Sequence, residues 1–471
     1  MAMFINREQE LAVLEDAWGS DKAEFIVVYG RRRVGKTALL QTFCESRSSI
    51  FWTASLSSDA ILRRGITQEL WQFTHEGGNG PGFTYESWEH AFRALAETSS
   101  NQRLVVVIDE FPYLVNTDAS VSSVMQNVWD KDLQQTKLML ILCGSQIGMM
   151  EREVLAYRAP LYGRRTGQIH LAPLSFRATA SFFKRYSIKN QIEAYGILGG
   201  IPAYLNQFDD RDTLTKNIER QILRQGSFLY LEPQFLLREE LREPRNYFAI
   251  LQAIAHGRTK LNEIVQTAGL ERQAVSKYLA VLQDLYLVER TVPGTERRPE
   301  KSRKGIYRIK DPFLRFWFRF VAPNQTFLER GYLKPVLDEV KSEFTAFMGP
   351  VFEDICRNWL MEHVGTANLP FAPDRMGSWW DRNEEIDILA YNDDTALFGE
   401  CKWTNRRVGT NILDDLMRKS NPIIESMGLQ DIRYVLFSRS GYTPALEDKA
   451  KNEGVSLFGM KDMTSASITA E

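Results

Sequence analysis

The sequence predicts an α/β protein of several domains, and three observations support this prediction. The chain has 471 residues, a length that corresponds to about three ordinary domains. Near its start, an apolar run leads into a glycine-containing loop and a helical segment, and a later apolar run ends in two acids. In the last third, a helical pattern precedes alternating strand-like runs. Strands and helices that follow one another in this way are typical of α/β domains.

Composition excludes several classes of protein. Hydrophobic residues make up 44% and charged residues 25% of the chain, as in ordinary globular proteins. The net charge is −2, so any contact with nucleic acid must come from a local basic patch. The four cysteines and five histidines are scattered, which predicts neither a disulfide framework nor a zinc cluster. Without a signal peptide or an apolar run of ~20 residues, we expect a cytoplasmic protein that has no membrane partner.

The strongest pattern lies in residues 24–40, EFIVVYGRRRVGKTALL, where a buried strand, a loop and a helix follow one another. Its two glycines permit a backbone that turns N–H groups towards phosphate oxygens, and the helix N-terminus adds partial positive charge. We expect the loop to bind ATP, with Lys36 at the β- and γ-phosphates and Thr37 as a ligand of Mg²⁺. The predicted nucleotide-binding residues are Gly30, Arg31, Arg32, Arg33, Val34, Gly35, Lys36 and Thr37.

Two further strand-like runs end in polar residues that suit ATP hydrolysis. RLVVVIDEFPYL, residues 103–114, ends its strand at Asp109 and Glu110. Asp109 is predicted to hold Mg²⁺ through water, and Glu110 to polarise the attacking water as a general base. KLMLILCGSQIGMM, residues 137–150, ends its strand at Ser145, which we expect to sense the γ-phosphate. The alternative is a strand that ends in solvated acids.

A basic turn in residues 159–171 carries Arg164 and Arg165. An arginine near the γ-phosphate can stabilise the charge of the transition state, so Arg164 is a predicted catalytic residue. A solvated basic turn is the alternative. The sequence leaves open which arginine would act, and whether it would act within one chain or across the interface of a homo-oligomer.

Together these segments resemble the AAA-type P-loop ATPases and, more narrowly, the prokaryotic archaeal-type ATPase family. The resemblance rests on FINREQEL, YGRRRVGKT, VVVIDEFPYL, LILCGSQIGMM, APLYGRRTG and LGGIPAYL. It implies a P-loop ATPase core in residues 1–174 and a helical lid over the nucleotide in residues 175–240. It also implies a role for Arg7 in cofactor binding and roles for Gly200 and Pro202 in the lid.

Residues 241–325 resemble a winged helix. Two short helical runs flank a turn at Gly269, and a third helical run carries the apolar stripe Val275, Leu279 and Leu282. A basic hairpin follows in residues 287–309. We expect this segment to contact nucleic acid, with DNA the favoured partner. The alternative is a module for contacts with protein or within the chain.

Residues 335–471 change pattern again. A helix over 349–364 carries Glu353, the run EIDILAY carries Asp387, and ALFGECKW carries Glu400 and Lys402. Side chains alternate along a strand, so Glu400 and Lys402 should share one face while Cys401 points to the other. This order of helix, strands, helix and strand resembles the restriction-endonuclease-like PD-(D/E)xK superfamily.

That resemblance suggests a phosphodiesterase centre. The turn after Tyr391 should bring Asp387 close to Glu400, and two facing carboxylates are costly unless a cation lies between them. Oxygen ligands favour Mg²⁺ or Mn²⁺. Lys402 could activate water or offset phosphate charge, and Glu353 could complete the site. Ile386 stands where the motif has proline, which leaves room for a domain that only binds.

Two functions therefore remain open. The first is an ATP-hydrolysing protein coupled to a Mg²⁺-dependent nuclease-like domain that acts on nucleic acid. The second is an ATP-dependent DNA-binding regulator whose nuclease-fold domain is catalytically silent.

Overall fold

The computed structural model describes residues 5–75, 80, 82–241 and 243–464. The chain divides into two compact units, of which the first comprises Met1–Leu174 with Ile201–Ala203 and the second comprises Ser175–Gly200 with Tyr204–Glu471. The predicted boundaries at residues 240, 325 and 335 stay predictions. Within the residues so described, no helix combines the length and the apolar character needed to cross a membrane.

A five-stranded parallel sheet forms the centre of the first unit. Its strands are β1 (Glu24–Tyr29), β2 (Ser49–Thr53), β3 (Leu104–Asp109), β4 (Leu138–Gly144) and β5 (Gly167–His170). They lie in the order β2-β3-β4-β1-β5. Every residue of β3 and β4 is buried, as expected for a parallel sheet that is covered on both faces. The predicted α/β core with a parallel sheet is confirmed.

The described residues up to Leu174 contain seven α-helices, which alternate with these strands or follow one another between them along the chain. They are α1 (Glu8–Trp18), α2 (Lys36–Cys44), α3 (Asp59–Thr74), α4 (Trp88–Ser99), α5 (Pro112–Thr117), α6 (Val121–Lys131) and α7 (Ile147–Met150). The arrangement places the carboxyl ends of β1, β3 and β4 side by side, because β4 lies between the other two. Ligands bind at such edges in open α/β sheets.

The segment between residues 175 and 240 is helical, as its periodicity predicts. Its helices are α8 (Phe176–Thr179), α9 (Ile188–Leu198), α10 (Pro202–Leu205), α11 (Leu214–Ile218) and α12 (Glu232–Glu240). Tyr204 and Phe313 pack their rings 4.9 Å apart, so this segment contacts the aromatic run that follows the hairpin. Its predicted role as a lid stays a prediction.

Three helices and a hairpin occupy the segment for which we predict a winged helix. They are α13 (Pro244–Ala255), α14 (Leu261–Ala268), α15 (Arg272–Asp284), β6 (Val288–Thr291) and β7 (Ile306–Ile309), followed by α16 (Pro312–Phe316) and α17 (Gln325–Glu329). Gly269 ends α14 in the left-handed conformation, with a φ of 65°. Val275, Leu279 and Leu282 are buried, so α15 uses the predicted apolar stripe for packing.

A mixed five-stranded sheet forms the C-terminal part of the second unit. Its elements are α18 (Leu333–Glu362), β8 (Arg375–Trp380), β9 (Glu385–Tyr391), β10 (Thr395–Lys402), α19 (Thr410–Met427), β11 (Asp431–Ser438), α20 (Pro444–Glu453) and β12 (Ser456–Gly459). The order is β12-β11-β10-β9-β8, with β10, β11 and β12 parallel and β8 and β9 antiparallel. One face packs on α18, and the other packs on α19 and α20.

Candidate functional site

The glycine-containing loop joins β1 to α2 in the first unit. Gly30 and Gly35 have φ values of 154° and 102°, which residues with a Cβ adopt only at a cost. Lys36 is 5% exposed, and its Nζ donates to the carbonyls of Gly30 at 2.9 Å and Arg31 at 3.0 Å. The loop thus curls around the ammonium group, as a phosphate-binding loop does.

Gly30 also marks a close approach of two backbones. A Cβ at this position would lie 2.4 Å from the carbonyl oxygen of Leu171. We expect Gly30→Ala to displace the loop, to weaken ATP binding at least about tenfold and to lower the free energy of unfolding by about 1–3 kcal/mol. Calorimetric titration with ATP and urea unfolding measure the two effects.

Gly163→Ala is the matched control for this substitution. Gly163 also has a positive φ, 78°, but its Cβ would meet no described atom within 4 Å. Equal losses of ATP affinity in the two variants would show that the contact with Leu171 does not shape the loop.

The two acids at the end of β3 contact the other predicted residues of this site. The hydroxyl of Thr37 donates to Oδ2 of Asp109 at 2.8 Å. Glu110 has a left-handed φ of 54°, and its Oε2 accepts from the hydroxyl of Ser145 at 2.8 Å and from its N–H at 3.3 Å. Glu110 follows β3 and Ser145 follows β4. Because these two strands are neighbours in the sheet, the two side chains can form a direct hydrogen bond. The structure therefore places Lys36, Thr37, Asp109, Glu110 and Ser145 at one edge of the sheet.

The chemistry of this edge fits Mg²⁺. Thr37 and Asp109 offer a hydroxyl and a carboxylate oxygen whose hydrogen bond already places them in contact. Hard oxygen donors of this kind, together with nucleotide phosphates, are the usual environment of protein-bound Mg²⁺. Thr37 and Asp109 are thus the residues that would hold the ion.

The structure gives the remaining predicted residues other contacts. Arg7 is buried, and its guanidinium donates to the carbonyls of Val34 at 3.2 Å and Ala172 at 2.9 Å, which ties the N-terminal segment to the loop. Arg164 forms an ion pair with Asp130 at 2.9 Å, and this hydrogen bond raises the pKa of Arg164. Their roles towards the nucleotide stay predictions.

Members of the loop differ in exposure. Arg31 and Val34 are buried, whereas Arg32 and Thr37 are exposed, and Arg33 has a positive φ of 66°. Thr37 is therefore accessible to solvent, whereas the side chain of Val34 is buried in the protein.

The second predicted centre lies at the end of β10. Lys402 Nζ contacts Oε1 of Glu400 at 2.5 Å, so these side chains share a face of the strand, as predicted. Cys401 belongs to the apolar cluster beneath α18 on the opposite face. Gly399 pairs with Ile388, and Oδ2 of Asp387 accepts from the N–H of Cys401 at 2.8 Å. Asp387 and Glu400 therefore lie on neighbouring strands.

Burial and mutual repulsion shape the ionisation of these acids. Burial, followed by the charge of Asp387, raises the pKa of Glu353 to about 7. The same two causes raise the pKa of Glu400, and burial raises the pKa of Asp387. Burial opposes ionisation of Lys402, but the Glu400 carboxylate outweighs it and the pKa of Lys402 is raised. Three carboxyl groups thus share a region where negative charge is costly.

The predicted role of Glu353 as a third carboxylate of this site stays a prediction. Across residues 5–75, 80, 82–241 and 243–464, no three histidine, cysteine or acidic side chains are grouped so as to hold a metal ion. Glu353 lies beside two cations, with Arg357 at 3.9 Å and Arg308 at 4.0 Å.

Asp387 and Glu400 nevertheless fit a divalent ion as a pair. Oε2 of Glu400 is buried and has no hydrogen-bond partner. Mg²⁺ is often bound through one or two carboxylates together with substrate phosphates rather than by a complete protein cage. The two carboxylates and this open oxygen are suited to that form of binding.

Arg357 and Arg308 are residues of this region that sequence reasoning misses. Arg357 donates to the carbonyl of Asp387 at 2.9 Å, and Arg308 lies on β7 of the hairpin. Arg357 follows Glu353 by four residues on one helix, a spacing that could have indicated an ion pair. No comparable signal in the sequence joins Arg308 to Glu353.

The raised pKa of Glu353 predicts how stability depends on pH. A carboxyl group whose folded pKa lies above its unfolded pKa of about 4.5 destabilises the fold as pH rises through this interval to 7. Glu353→Gln should therefore gain stability relative to the natural chain between pH 4 and pH 8, by on the order of 3 kcal/mol. Urea unfolding at both pH values measures this difference, and a gap that stays constant would contradict the assignment.

Comparisons with known proteins agree with the geometry of the first site. A model of a family described as an ATPase domain predominantly from Archaea matches residues 4–208. A second model, described as Archaea bacterial proteins of unknown function, matches residues 317–412. An uncharacterized protein of Methanocaldococcus jannaschii is 36% identical over 468 residues, which cover 98% of this chain and 100% of that protein.

Shorter and structural matches point the same way. An uncharacterized ATP-binding protein of Methanocaldococcus jannaschii is 51% identical over 55 residues, 11% of this chain and 93% of the relative. The Walker-type ATPase PABY2304 of Pyrococcus abyssi superposes with a TM-score of 0.51 at 21% identity, over 67% of this chain and 96% of that one, which shows a shared fold. With the loop around Lys36 and the acids that face it, the chain belongs to the predominantly archaeal family of P-loop ATPases, and residues 317–412 carry that second domain of unknown function.

Proposed function

We propose that this ATPase controls a Mg²⁺-dependent nuclease-like centre, formed by Asp387, Glu400 and Lys402, that acts on nucleic acid. One observation carries the proposal. A buried carboxyl group, Glu400, and a half-buried one, Asp387, both with raised pKa values, lie on neighbouring strands beside a lysine, and Oε2 of Glu400 has no hydrogen-bond partner. Such a concentration of perturbed groups is typical of a site that binds or reacts.

At the first site, each residue has a task in hydrolysis. Lys36 lies inside the loop, from which it can reach the β- and γ-phosphates, and Thr37 and Asp109 would hold Mg²⁺. Glu110 is oriented by its bonds to Ser145, so its second oxygen is available to accept a proton from water. The left-handed backbone at Glu110 aims this carboxylate, and its strain is consistent with a functional role.

At the second site, Asp387 and Glu400 would hold Mg²⁺, which when bound supplies stabilisation of charge at a phosphodiester. The N–H of Cys401 fixes Asp387 by its bond to Oδ2. Lys402, which is paired with Glu400, can instead donate to a phosphate oxygen or orient a water. Whether it contacts Glu400 or the phosphate, Lys402 stays charged and close to the phosphodiester.

The hairpin and helix α15 supply a surface for the nucleic acid. A pocket of about 550 Å³ lies between α14, α15 and the hairpin. Its basic lining residues are Lys260, Arg272, Arg290, Arg303 and Lys304, and the described lining includes no acid. This local patch supports a winged helix that contacts phosphates, although the whole chain is slightly acidic.

The salt dependence of binding tests this surface. Arg303→Gln should lower the slope of log affinity against log salt concentration by about 1, and it should weaken binding alike for DNA of different sequence. Fluorescence anisotropy with labelled DNA measures both quantities. Arg433→Gln, an exposed ion-paired arginine on β11, is the control. An unchanged slope in Arg303→Gln would place the nucleic acid elsewhere.

Cleavage assays test the proposed function itself. The purified full chain is incubated with labelled single- and double-stranded DNA and RNA, with Mg²⁺ and with or without ATP. We expect at least one substrate to be cut, EDTA to stop the reaction, and Lys36→Ala to remove the response to ATP. Intact substrates under every condition would refute the nuclease-like centre.

A second function has one observation in its favour. Nζ of Lys402 and Oε1 of Glu400 form an ion pair at 2.5 Å. This contact is expected if the two side chains have a structural role and the nuclease-like fold is catalytically silent. In that case the chain is an ATP-dependent DNA-binding regulator. Tight binding of DNA that Glu400→Ala and Lys402→Ala leave unchanged, without cleavage, would establish it.

A further inference from the structure

The loop of the hairpin is fixed to the C-terminal sheet by hydrogen bonds that all involve the main chain of the loop. The N–H of Gly294 donates to the carbonyl of Ser378 at 2.8 Å, and the hydroxyl of Tyr391 donates to the carbonyl of Gly294 at 3.0 Å. Arg375 donates to the carbonyl of Glu296 at 2.6 Å. Ser378 and Arg375 lie on β8, and Tyr391 lies on β9. The loop of the hairpin therefore sits on the edge of the same sheet that carries Asp387 and Glu400.

The second strand of the hairpin presents different side chains to its two sides. Tyr307 lines the basic pocket, whereas the next residue, Arg308, lines a groove of about 740 Å³. This groove is bounded by α13, α18 and the turn between β8 and β9. The alternation follows from the period of two along a strand. A single strand thus connects the basic pocket to the region of the acidic centre.

Arg308 contacts two acids that lie close enough to Asp387 to interact with its charge. Its guanidinium lies 4.0 Å from Oε2 of Glu353 and 3.6 Å from Oε1 of Glu385. The side chains of Arg308 and Glu353 are 19% and 15% exposed, so the pair is largely shielded from water and weakly screened by salt. Glu385 precedes Asp387 by two residues on β9.

Glu353 has a second cation close to the same carboxylate oxygen. Arg357 lies 3.9 Å from the same Oε2, and it also donates to the carbonyl of Asp387 at 2.9 Å. Glu353 therefore lies beside one arginine of α18 and one arginine of the hairpin. Removal of either arginine leaves this largely buried carboxylate with only the other cation to offset its charge.

We propose that Arg308 is a positioning residue of the C-terminal centre, through which the hairpin holds Glu353 and Glu385 in place near Asp387. The inference rests on the proposed function of that centre. Because nucleic acid would bind the other side of the same hairpin, a shift of the hairpin on binding changes how these acids are held. Arg308 then links occupancy of the basic pocket to the geometry at Asp387.

Kinetics of the full chain test this role. Arg308→Gln should lower kcat for cleavage about tenfold and leave KM for nucleic acid within about twofold, because the residue orients groups without contacting substrate. Arg308→Lys should recover part of the loss. The double variant with Glu353→Gln should be no slower than Glu353→Gln alone. An unchanged kcat in Arg308→Gln, or losses that multiply, would overturn the proposal.

A second measurement separates this inference from the nuclease activity. Hydrogen exchange is followed without metal or nucleic acid in Arg308→Gln, in Arg308→Lys and in the control Arg433→Gln. We expect the amides of residues 385–388 and 353–357 to exchange at least about tenfold faster in Arg308→Gln, by a smaller factor in Arg308→Lys, and at the natural rate in Arg433→Gln. That result supports the role of Arg308 even if the chain cuts no substrate, and unchanged exchange refutes it. Should Arg308→Gln fail to fold, faster exchange confined to these amides in Arg308→Lys decides in its place.

Discussion

Glu110→Gln should lower the turnover number for ATP by about 10²–10⁴-fold and leave ATP affinity within a few-fold. The carboxylate is the group that can accept a proton from the attacking water, and an amide cannot do so at neutral pH. Glutamine keeps the size of the side chain and can still meet the hydroxyl of Ser145, which now lies 2.8 Å from Glu110. The loop, Lys36 and Thr37 are untouched, so binding should persist.

Steady-state hydrolysis and equilibrium binding of ATP measure the two quantities. Glu45→Gln, an exposed acid after the C-terminal end of α2, is the control, because it removes one negative charge without touching the site at the other end of the helix. A turnover number within about threefold of the natural chain would remove Glu110 from the reaction and leave Asp109 as the principal acid.

Glu400→Gln should abolish cleavage of nucleic acid, with a loss of at least about 10²-fold, while ATP turnover stays unchanged. The substitution removes one of two carboxylates that would hold Mg²⁺, and it deprives Lys402 of its ion-pair partner. It also replaces a buried acid of raised pKa with a neutral group, so the fold itself should not be weakened by loss of charge.

Asp431→Asn is the matched control for this prediction. Asp431 lies on the neighbouring strand β11, where it is exposed and paired with Arg433. Cleavage at the natural rate in Glu400→Gln, with Asp431→Asn equally active, would show that the ion pair at the end of β10 is structural.

Local patterns predict much of the nucleotide site. The loop from Gly30 to Thr37 and the acids at Asp109 follow from short motifs whose geometry is set by neighbouring residues. The position of β4 between β1 and β3 does not follow from them, because strand order depends on pairing between distant segments. That order is what places Ser145 against Glu110. The left-handed backbone at Glu110 could not be predicted from the sequence either, since glutamate rarely adopts this conformation.

In the C-terminal part, alternation correctly predicts the shared face of Glu400 and Lys402. Helix α18 begins at Leu333, well before the predicted start at residue 349, because its first turns carry many charged residues that obscure the apolar face. Helix α20 is missed because it is short and largely polar, and strand β12 is missed because it has only four residues. The contact of Arg308 with Glu353 joins residues 45 positions apart through tertiary packing alone.

The most direct test of two divalent-ion centres in one chain is a crystal structure grown with Mn²⁺ and a non-hydrolysable ATP analogue. Mn²⁺ is used because its anomalous scattering locates each ion without reference to the surrounding atoms. The account predicts one anomalous peak beside Thr37 and Asp109 with the nucleotide, and a second peak between Asp387 and Glu400 with Lys402 turned away from Oε1. A single peak at the nucleotide, with Lys402 still bonded to Glu400, would contradict it.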